Sequence, residues 1–304
     1  MGEFMCSKSF FNKFYFSISV LLAVFYICLA CQNSASVSSA QTDETQTNIQ
    51  LKKYPLVLIH GLSNMHKWSN DFLDECLKVF GSKRVFVVFS DKTKNITTTE
   101  INGRTVIYCG ENGYLNAGID SIEKQNFLIK EKIFVLKKYG LTGRFNIIAH
   151  SMGGLISRRL IQDLPGKITS LVTLGTPHHG SPLADSFKWV GLFVGAGDAI
   201  EDLKPKNCLI FNNKYPVEKA PLAEKGKIYT ITGNTDGKKF GFLGEVALGY
   251  QILKNYYNTD NDGLVPVASS HINGAIELAF FNELDHYALV RERKVAFTAC
   301  KVLN

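Results

Sequence analysis

A serine, an aspartate and a histidine, widely spaced along the chain, are the residues whose types could carry acyl chemistry. Ser151 lies in IIAHSMGGLISRRL (residues 147–160), between an apolar run that stops at Ala149 and a helix-like run that follows Gly153. A hydroxyl thrust out on a tight strand-to-helix corner needs small residues two before and two after it, because side chains there would collide. Ala149 and Gly153 meet that need, and Gly154 adds room. The pattern is the nucleophile elbow G-x-S-x-G with alanine in its first slot. The helix behind such a serine directs its amino end at the reacting centre and favours developing negative charge. A surface serine on a glycine-containing turn is the plain alternative, and the strand before and helix after weigh against it.

A serine nucleophile needs a base, and the base needs an acid to orient it. On a corner of this kind the chain order is Ser, then Asp or Glu, then His. Only His178, His179, His271 and His286 follow Ser151. Asp262 sits in the polar turn TDNDGLVPVASSH, beyond which His271 and His286 remain. His286, in NELDHYALV just before a terminal helix, can reach over the sheet edge toward Ser151. His271 is close in sequence to Asp262 and serves less easily from a separate loop, but it stays as the alternative. The expected oxyanion donors are the amide of Met152, just after the serine, and that of Leu62 in the His60-Gly61-Leu62-Ser63 loop. His60 reads as a structural hydrogen-bonder, and His178 and His179 as residues that support the site from a loop.

The elements that must position these groups follow from periodicity. Continuous apolar runs at 54–60 and 85–89 read as strands buried on both faces, and 145–149, 168–174, 227–232 and 275–281 read as further strands. Helical spacing covers 119–139, stopped by Gly140, and 153–163, ended before Pro165; residues 287–302 read as a terminal helix. Strands alternating with helices indicate a parallel sheet covered on both sides, with ligand chemistry at the carboxyl ends of the strands. NITTTEINGRTVIY, with Asn102-Gly103 between β-rich flanks, reads as a hairpin inserted after the second strand.

The bulk numbers set limits. The chain has 304 residues, 45% of them hydrophobic and 20% charged, enough for one large domain. The net charge of +7 is spread as pairs such as Lys52-Lys53 and Arg158-Arg159 rather than blocks. That favours a solvated surface over a nucleic-acid partner and leaves a weak attraction to anionic membrane surfaces. Lys8 and Lys13 precede an apolar run over 14–30, the pattern of an export signal, with an uncleaved anchor as rival. Leu29-Ala30-Cys31 resembles a lipoprotein cleavage site, although Cys28 stands where Leu is usual; cleavage after Ala40 is the secretory alternative. Either way the expectation is an exported protein. Residues 31–50, rich in Ser, Thr and Gln, read as a flexible tether ahead of a domain over 51–304. Beyond Cys31, Cys76, Cys109, Cys208 and Cys300 lack metal spacing; disulfides are permitted, and their pairing does not follow from sequence.

At this point the chain resembles a known family, the α/β-hydrolase lipases of the Pseudomonas, Burkholderia and Proteus type. The matching pieces run in order: VLIHGL, IIAHSMGGL, VTLGTPHHGSPLAD, IFNNKYP, NDGLVPVASSH and NELDH. The resemblance implies an α/β-hydrolase fold, a mostly parallel sheet with helices on both faces and a short lid. It also implies triacylglycerol lipase or carboxylesterase activity on a lipid or small ester, with Ser151, Asp262 and His286 as the triad and Leu62 and Met152 as oxyanion donors. The same triad would serve a phospholipase, thioesterase or acyltransferase, and a lipid-binding lipoprotein that keeps the scaffold is the reading from another class. Three departures stand out. The family's structural calcium takes an Asp two residues after the histidine, and here that position is Ala288; Glu245 is a poor candidate for the other ligand, so no metal or other cofactor is expected. The family disulfide has a Cys where this chain has Ala268. The segment 186–202 is shorter than the usual lid region, yet Trp189 and Phe193 make it apolar enough to act as a lid over an acyl groove. Some members need a folding chaperone; the residues here leave that open.

Overall fold

The structure is a computed structural model, and it describes residues 51–62, 68–111, 117–185, 195–238 and 244–304. All of them fall in the compact unit Ile49–Asn304. In chain order the elements are β1 (Leu56–Ile59), α1 (Asn70–Phe80), β2 (Val85–Val88), β3 (Ile96–Ile101), β4 (Arg104–Cys109), α2 (Ile122–Leu136), β5 (Phe145–His150), α3 (Met152–Asp163) and β6 (Ile168–Leu174). There follow α4 (Gly197–Asp202), α5 (Pro205–Lys214), β7 (Ile228–Gly233), α6 (Glu245–Tyr257), α7 (Val267–Ser270), β8 (Ile276–Phe281) and α8 (Arg293–Lys301).

Among the described residues eight strands form one sheet in the order β3-β4-β2-β1-β5-β6-β7-β8. Every neighbouring pair is parallel except β3 and β4. Strands β1, β2, β5 and β6 are buried along their whole length, which is why β1 and β2 read in sequence as unbroken apolar runs rather than alternating ones. Successive side chains point to opposite faces. Val57 and Ile59 therefore join the layer under α2 and α3, while Leu56 and Leu58 join the layer under α1 and α8. The expected hairpin is present, with Asn102 and Gly103 both at positive φ (47° and 73°), as a two-residue turn between right-twisted strands requires. Its second strand pairs with β2, so the hairpin forms one edge of the sheet.

The order of strands locates the crevice. From β1 the chain moves to β2 on one side, and later returns to β5 on the other. Ligands collect where the order reverses in this way, at the carboxyl ends of the two central strands. Ile59 pairs with Ala149 at those ends, so the loop carrying Gly61 and Leu62 emerges beside the corner carrying Ser151.

The terminal helix differs from expectation. It starts at Arg293, after a short 3-10 turn over Ala288–Val290, and not at Tyr287. Asp285 explains the turn, because its Oδ1 accepts the amides of Tyr287 and Ala288, both at 2.9 Å. Ser69 then holds the exit: its amide donates to the Val290 carbonyl and its hydroxyl to that of Arg291. Carbonyls turned toward Ser69 are not free to continue one helix. Trp189 and Phe193, the expected lid residues, lie outside the described residues.

Candidate active site

Ser151 is the corner between β5 and α3, and its backbone sits at φ 54°, ψ −132°. A non-glycine residue at positive φ stores about 1–3 kcal/mol of strain, which persists only where its surroundings over-determine it. Here they do. The Ser151 amide donates to the Leu174 carbonyl at 2.9 Å, and its carbonyl accepts the Gly154 amide at 3.0 Å and the Thr176 hydroxyl at 2.8 Å. The small neighbours are required by contact. A Cβ on Gly153 would lie 2.4 Å from the His60 carbonyl oxygen, and one on Gly154 would lie 2.1 Å from Thr176 Oγ1. Gly61, which sequence reasoning did not single out, is equally constrained: a Cβ there would come within 2.6 Å of the Ser151 Cβ.

Asp262 and His286 meet at the carboxyl end of β6 and β7. Segment 234–262 leaves the tip of β7, forms α6, and returns so that the Asn261 carbonyl accepts the Thr235 amide at 2.9 Å. Asp262 is fully buried, and its two oxygens have separate tasks. Oδ1 accepts the amides of Leu264 and Val265 at 3.0 and 2.8 Å, closing the turn. Oδ2 lies 2.7 Å from Nδ1 of His286. With Oδ1 taken by backbone donors, Oδ2 faces the imidazole and accepts its proton from Nδ1. That leaves Nε2 of His286 as a proton acceptor. Gly175 at the end of β6, another residue that sequence reasoning missed, leaves room for the pair; a Cβ there would stand 2.8 Å from Asp262 Oδ2 and 3.2 Å from His286 Nδ1.

The imidazole packs on the residue that precedes the serine. The ring of His150 packs against that of His286, with centroids 4.5 Å apart, and His150 Nε2 lies 2.9 Å from the His286 carbonyl oxygen. His286 is 2% exposed and Ser151 7%. Met152 is the first residue of α3, where a helix leaves its amide without an internal partner. Leu62 follows Gly61, which packs on Ser151.

A buried polar bridge runs from His60 to Met152. The amide of Ser90 donates to His60 Nε2 at 3.0 Å, so His60 carries its proton on Nδ1, 2.7 Å from the Gly61 carbonyl. Burial holds the His60 pKa down at about 4. The Ser90 hydroxyl donates to Gln125 Oε1 at 2.8 Å, and Gln125 Nε2 reaches Met152 Sδ at 3.6 Å. His60 is therefore the structural hydrogen-bonder its sequence context suggested. Gln125, a polar residue on a helix, gives no sequence sign of this role.

The other described histidines serve elsewhere. His178 is fully buried, with Nε2 3.2 Å from Thr173 Oγ1 and Nδ1 3.4 Å from the Arg158 guanidinium. Burial, with that guanidinium beside it, holds its pKa well below the usual range. Arg158 also donates to Asn212 Oδ1 and to the Tyr215 carbonyl, so the TPHHG and FNNKYP motifs meet on one arginine of the elbow helix. His271 points its Nδ1 toward Glu277 at 3.7 Å, and with His179 it lines a separate cavity of about 260 Å³. The Asp262 carboxylate is already occupied by His286 and two amides, so His271 is not its partner.

The calcium arrangement implied by the resemblance does not fit these residues. Ala288 offers no side-chain oxygen, and Glu245 is hydrogen-bonded to Tyr287, whose pKa burial and that carboxylate together push up. Among the described residues no three His, Cys, Asp or Glu side chains gather as a metal site.

Comparison with known proteins bears on the family and the fold. The family model described as palmitoyl protein thioesterase matches residues 55–208, half of the chain. A triacylglycerol lipase of Pseudarthrobacter phenanthrenivorans is 30% identical over 138 residues, covering 44% of this chain and 36% of that protein. A triacylglycerol lipase of Burkholderia plantarii is also 30% identical over 138 residues, covering 44% and 32%. The chain thus spans about a third of the length of these curated relatives. Among solved structures, the mature Bacillus licheniformis lipase BlEst2 superposes with a TM-score of 0.58 at 20% identity, covering 82% of this chain and 90% of that one. The metagenomic carboxyl esterase MGS0156 gives 0.58 at 16% identity, covering 89% and 77%. The likeness to these structures is one of fold. The chain belongs to the palmitoyl protein thioesterase family, and it shares its α/β-hydrolase fold with these structures.

Proposed function

We propose that this protein is a serine hydrolase of fatty-acyl esters, with Ser151 as nucleophile, His286 as general base and acid, and Asp262 as the group that orients it. The observation that carries this reading is the Asp262–His286 pair, which frees Nε2 of the imidazole at the mouth of a strained serine corner. Ser151 Oγ attacks the acyl carbon while His286 Nε2 takes its proton. The charge that develops on the carbonyl oxygen is met by the amides of Leu62 and Met152; one such donor is worth about 3 kcal/mol of barrier. His286 returns the proton to the departing alkoxide, leaving an acyl-serine. Water attacks that ester with the same histidine as base, releasing the acid and restoring the hydroxyl.

Two leaving groups suit this site. The triacylglycerol lipase relatives favour an alcohol, whereas the family description favours a thiol. Rates on p-nitrophenyl butyrate, a long-chain triacylglycerol emulsion, a phospholipid and a palmitoyl thioester, each compared by kcat/KM, separate the two. Covalent labelling by a fluorophosphonate, mapped to Ser151 by peptide mass, tests the shared step; an intact protein that stays unlabelled under forcing conditions is a binding protein on this scaffold.

Export goes with this reading, supported by Lys8 and Lys13 ahead of the apolar run 14–30. Among the described residues no helix is long and apolar enough to cross a membrane. The amino-terminal peptide of protein recovered from the producing cells distinguishes a lipidated Cys31, a start after Ala40 and a retained anchor.

A further inference from the structure

Two cysteines that no motif connects lie side by side under the outer face of the sheet. Cys76 is at the middle of α1 and Cys300 near the end of α8, separated by 224 residues. Both are buried, at 0% and 1% exposure, in the apolar layer that also holds Phe72, Phe80 and Ala296. Their sulfurs are 3.7 Å apart, with the Cys300 thiol donating to Cys76. The other two described cysteines differ. Cys208 donates to the carbonyls of Asp202 and Pro177, and Cys109 lies in β4, in the core layer on the opposite face.

We infer that Cys76 and Cys300 form a disulfide when the protein folds in the presence of a disulfide donor, such as an oxidised dithiol protein or oxidised glutathione. The chemistry is thiol–disulfide exchange. One cysteine thiolate attacks the donor disulfide and forms a mixed disulfide, releasing one donor thiol. The second cysteine, deprotonated, attacks the protein sulfur of that mixed disulfide and expels the other donor thiol. The two cysteines together lose two electrons and two protons, and the donor gains them. Closing the sulfurs from 3.7 Å to a bond of about 2.05 Å is a movement of less than about 2 Å.

Burial also sets the timing. Removal from water, with the neighbouring thiol, pushes the Cys76 thiol well above its ordinary pKa, so the docked pair is a poor nucleophile and is sealed from large reagents. Exchange belongs to the stage at which α8 settles on α1, and the finished bond resists reduction until that interface opens.

The consequence reaches the catalytic edge of the sheet. α8 is the anchor of the loop that carries His286. The α1–α8 contact is already held by Arg293, which pairs with Asp71 and Asp74 on α1, and by Ser69, which binds the carbonyls of Val290 and Arg291. A covalent bond at Cys76 and Cys300 closes nearly the whole domain into one loop and keeps this anchor in place as temperature rises. Loops of this size lose most unfolded-state entropy on cross-linking.

The test uses full-length protein refolded in a glutathione redox buffer, trapped with N-ethylmaleimide in denaturant and digested without reduction. A peptide pair joined through Cys76 and Cys300 is expected. Reduction should lower Tm by roughly 10 °C, from the loop-entropy scale and the Tm response of a domain this size. Neither Cys76→Ala nor Cys300→Ala should show that sensitivity to reductant. Recovery of both cysteines as alkylated thiols, or joined to other cysteines, overturns the inference. So does an equal Tm loss on reduction in the alanine variants. The peptide result on the unmodified chain decides alone if the variants do not fold, and none of these readouts depends on enzymatic activity.

Discussion

Asp262 holds His286 twice. Its Oδ2 lies 2.7 Å from the imidazole Nδ1, and its backbone carbonyl accepts the His286 amide at 2.8 Å. The ring is fixed in position by the backbone and in tautomer by the side chain, and these two functions can be separated by mutation.

Asp262→Asn keeps an oxygen for the Leu264 and Val265 amides but loses the anion that faces Nδ1. The imidazole then favours the tautomer with its proton on Nε2 and no longer serves as a base. A fall in kcat of about 10⁴-fold is expected, with KM within a few-fold of the parent. Asp262→Ala removes the turn closure as well and should lower Tm in addition. Ester hydrolysis and thermal unfolding of the two variants together check this; an Asn variant within tenfold of parental kcat would refute the tautomer role.

Gln125 links the Met152 side chain to His60 through Ser90, next to the two amides proposed as oxyanion donors. Gln125→Leu is close in volume but cuts the bridge. The expected effect is about a tenfold loss of kcat, the equivalent of one hydrogen bond of roughly 1.4 kcal/mol, with KM little changed. Affinity for a boronic acid that mimics the tetrahedral state should fall in parallel. Unchanged boronate binding alongside a lower Tm would make Gln125 a packing residue only.

His60 links stability to pH. Its folded-state pKa of about 4 lies below the ordinary 6.5, so the unfolded chain binds the proton more readily. Stability from this group is therefore complete above about pH 6.5 and is lost as pH falls toward 4, by about 3 kcal/mol in all. His178 acts in the same direction. Urea unfolding between pH 7 and 4 should show a shallower decline in His60→Asn than in the parent; parallel curves would contradict the buried neutral state.

Glycine contacts separate the corner from the surface. At Gly153 an added methyl meets the carbonyl oxygens of His60 and Ile59 at 2.4 and 2.8 Å, which no rotamer relieves. Gly153→Ala should cost about 1–3 kcal/mol and most of the activity. At Gly197 nothing lies within 4 Å, and Gly197→Ala should leave Tm within a degree or two. Thermal melts of both, with residual esterase rates, check the contrast.

Much of this was legible in the chain because the central strands are buried on both faces and the corner tolerates only small residues. Unbroken apolar runs marked β1 and β2, strand-like segments marked β5, β6 and β7, and Ala149, Gly153 and Gly154 marked the elbow. Other features left no local trace. Helix α5 buries only Cys208 within its length, so no apolar period announces it. Helix α1 is periodic, with Ser69 as its cap and Phe72, Leu73, Cys76, Leu77 and Phe80 on its buried face. The late start of α8 depends on Ser69, more than 200 residues upstream, and the bridge through Gln125 and the neighbouring sulfurs of Cys76 and Cys300 are likewise products of tertiary packing.

Hydrolysis of a soluble p-nitrophenyl ester by purified Ser151→Ala, with folding verified by circular dichroism and Tm, tests the central claim most directly. Turnover should drop by at least about 10³-fold to a residual rate set by the oxyanion donors and binding, while the Asp262–His286 pair stays intact. A folded Ser151→Ala protein that hydrolyses the ester at the parental rate would contradict it.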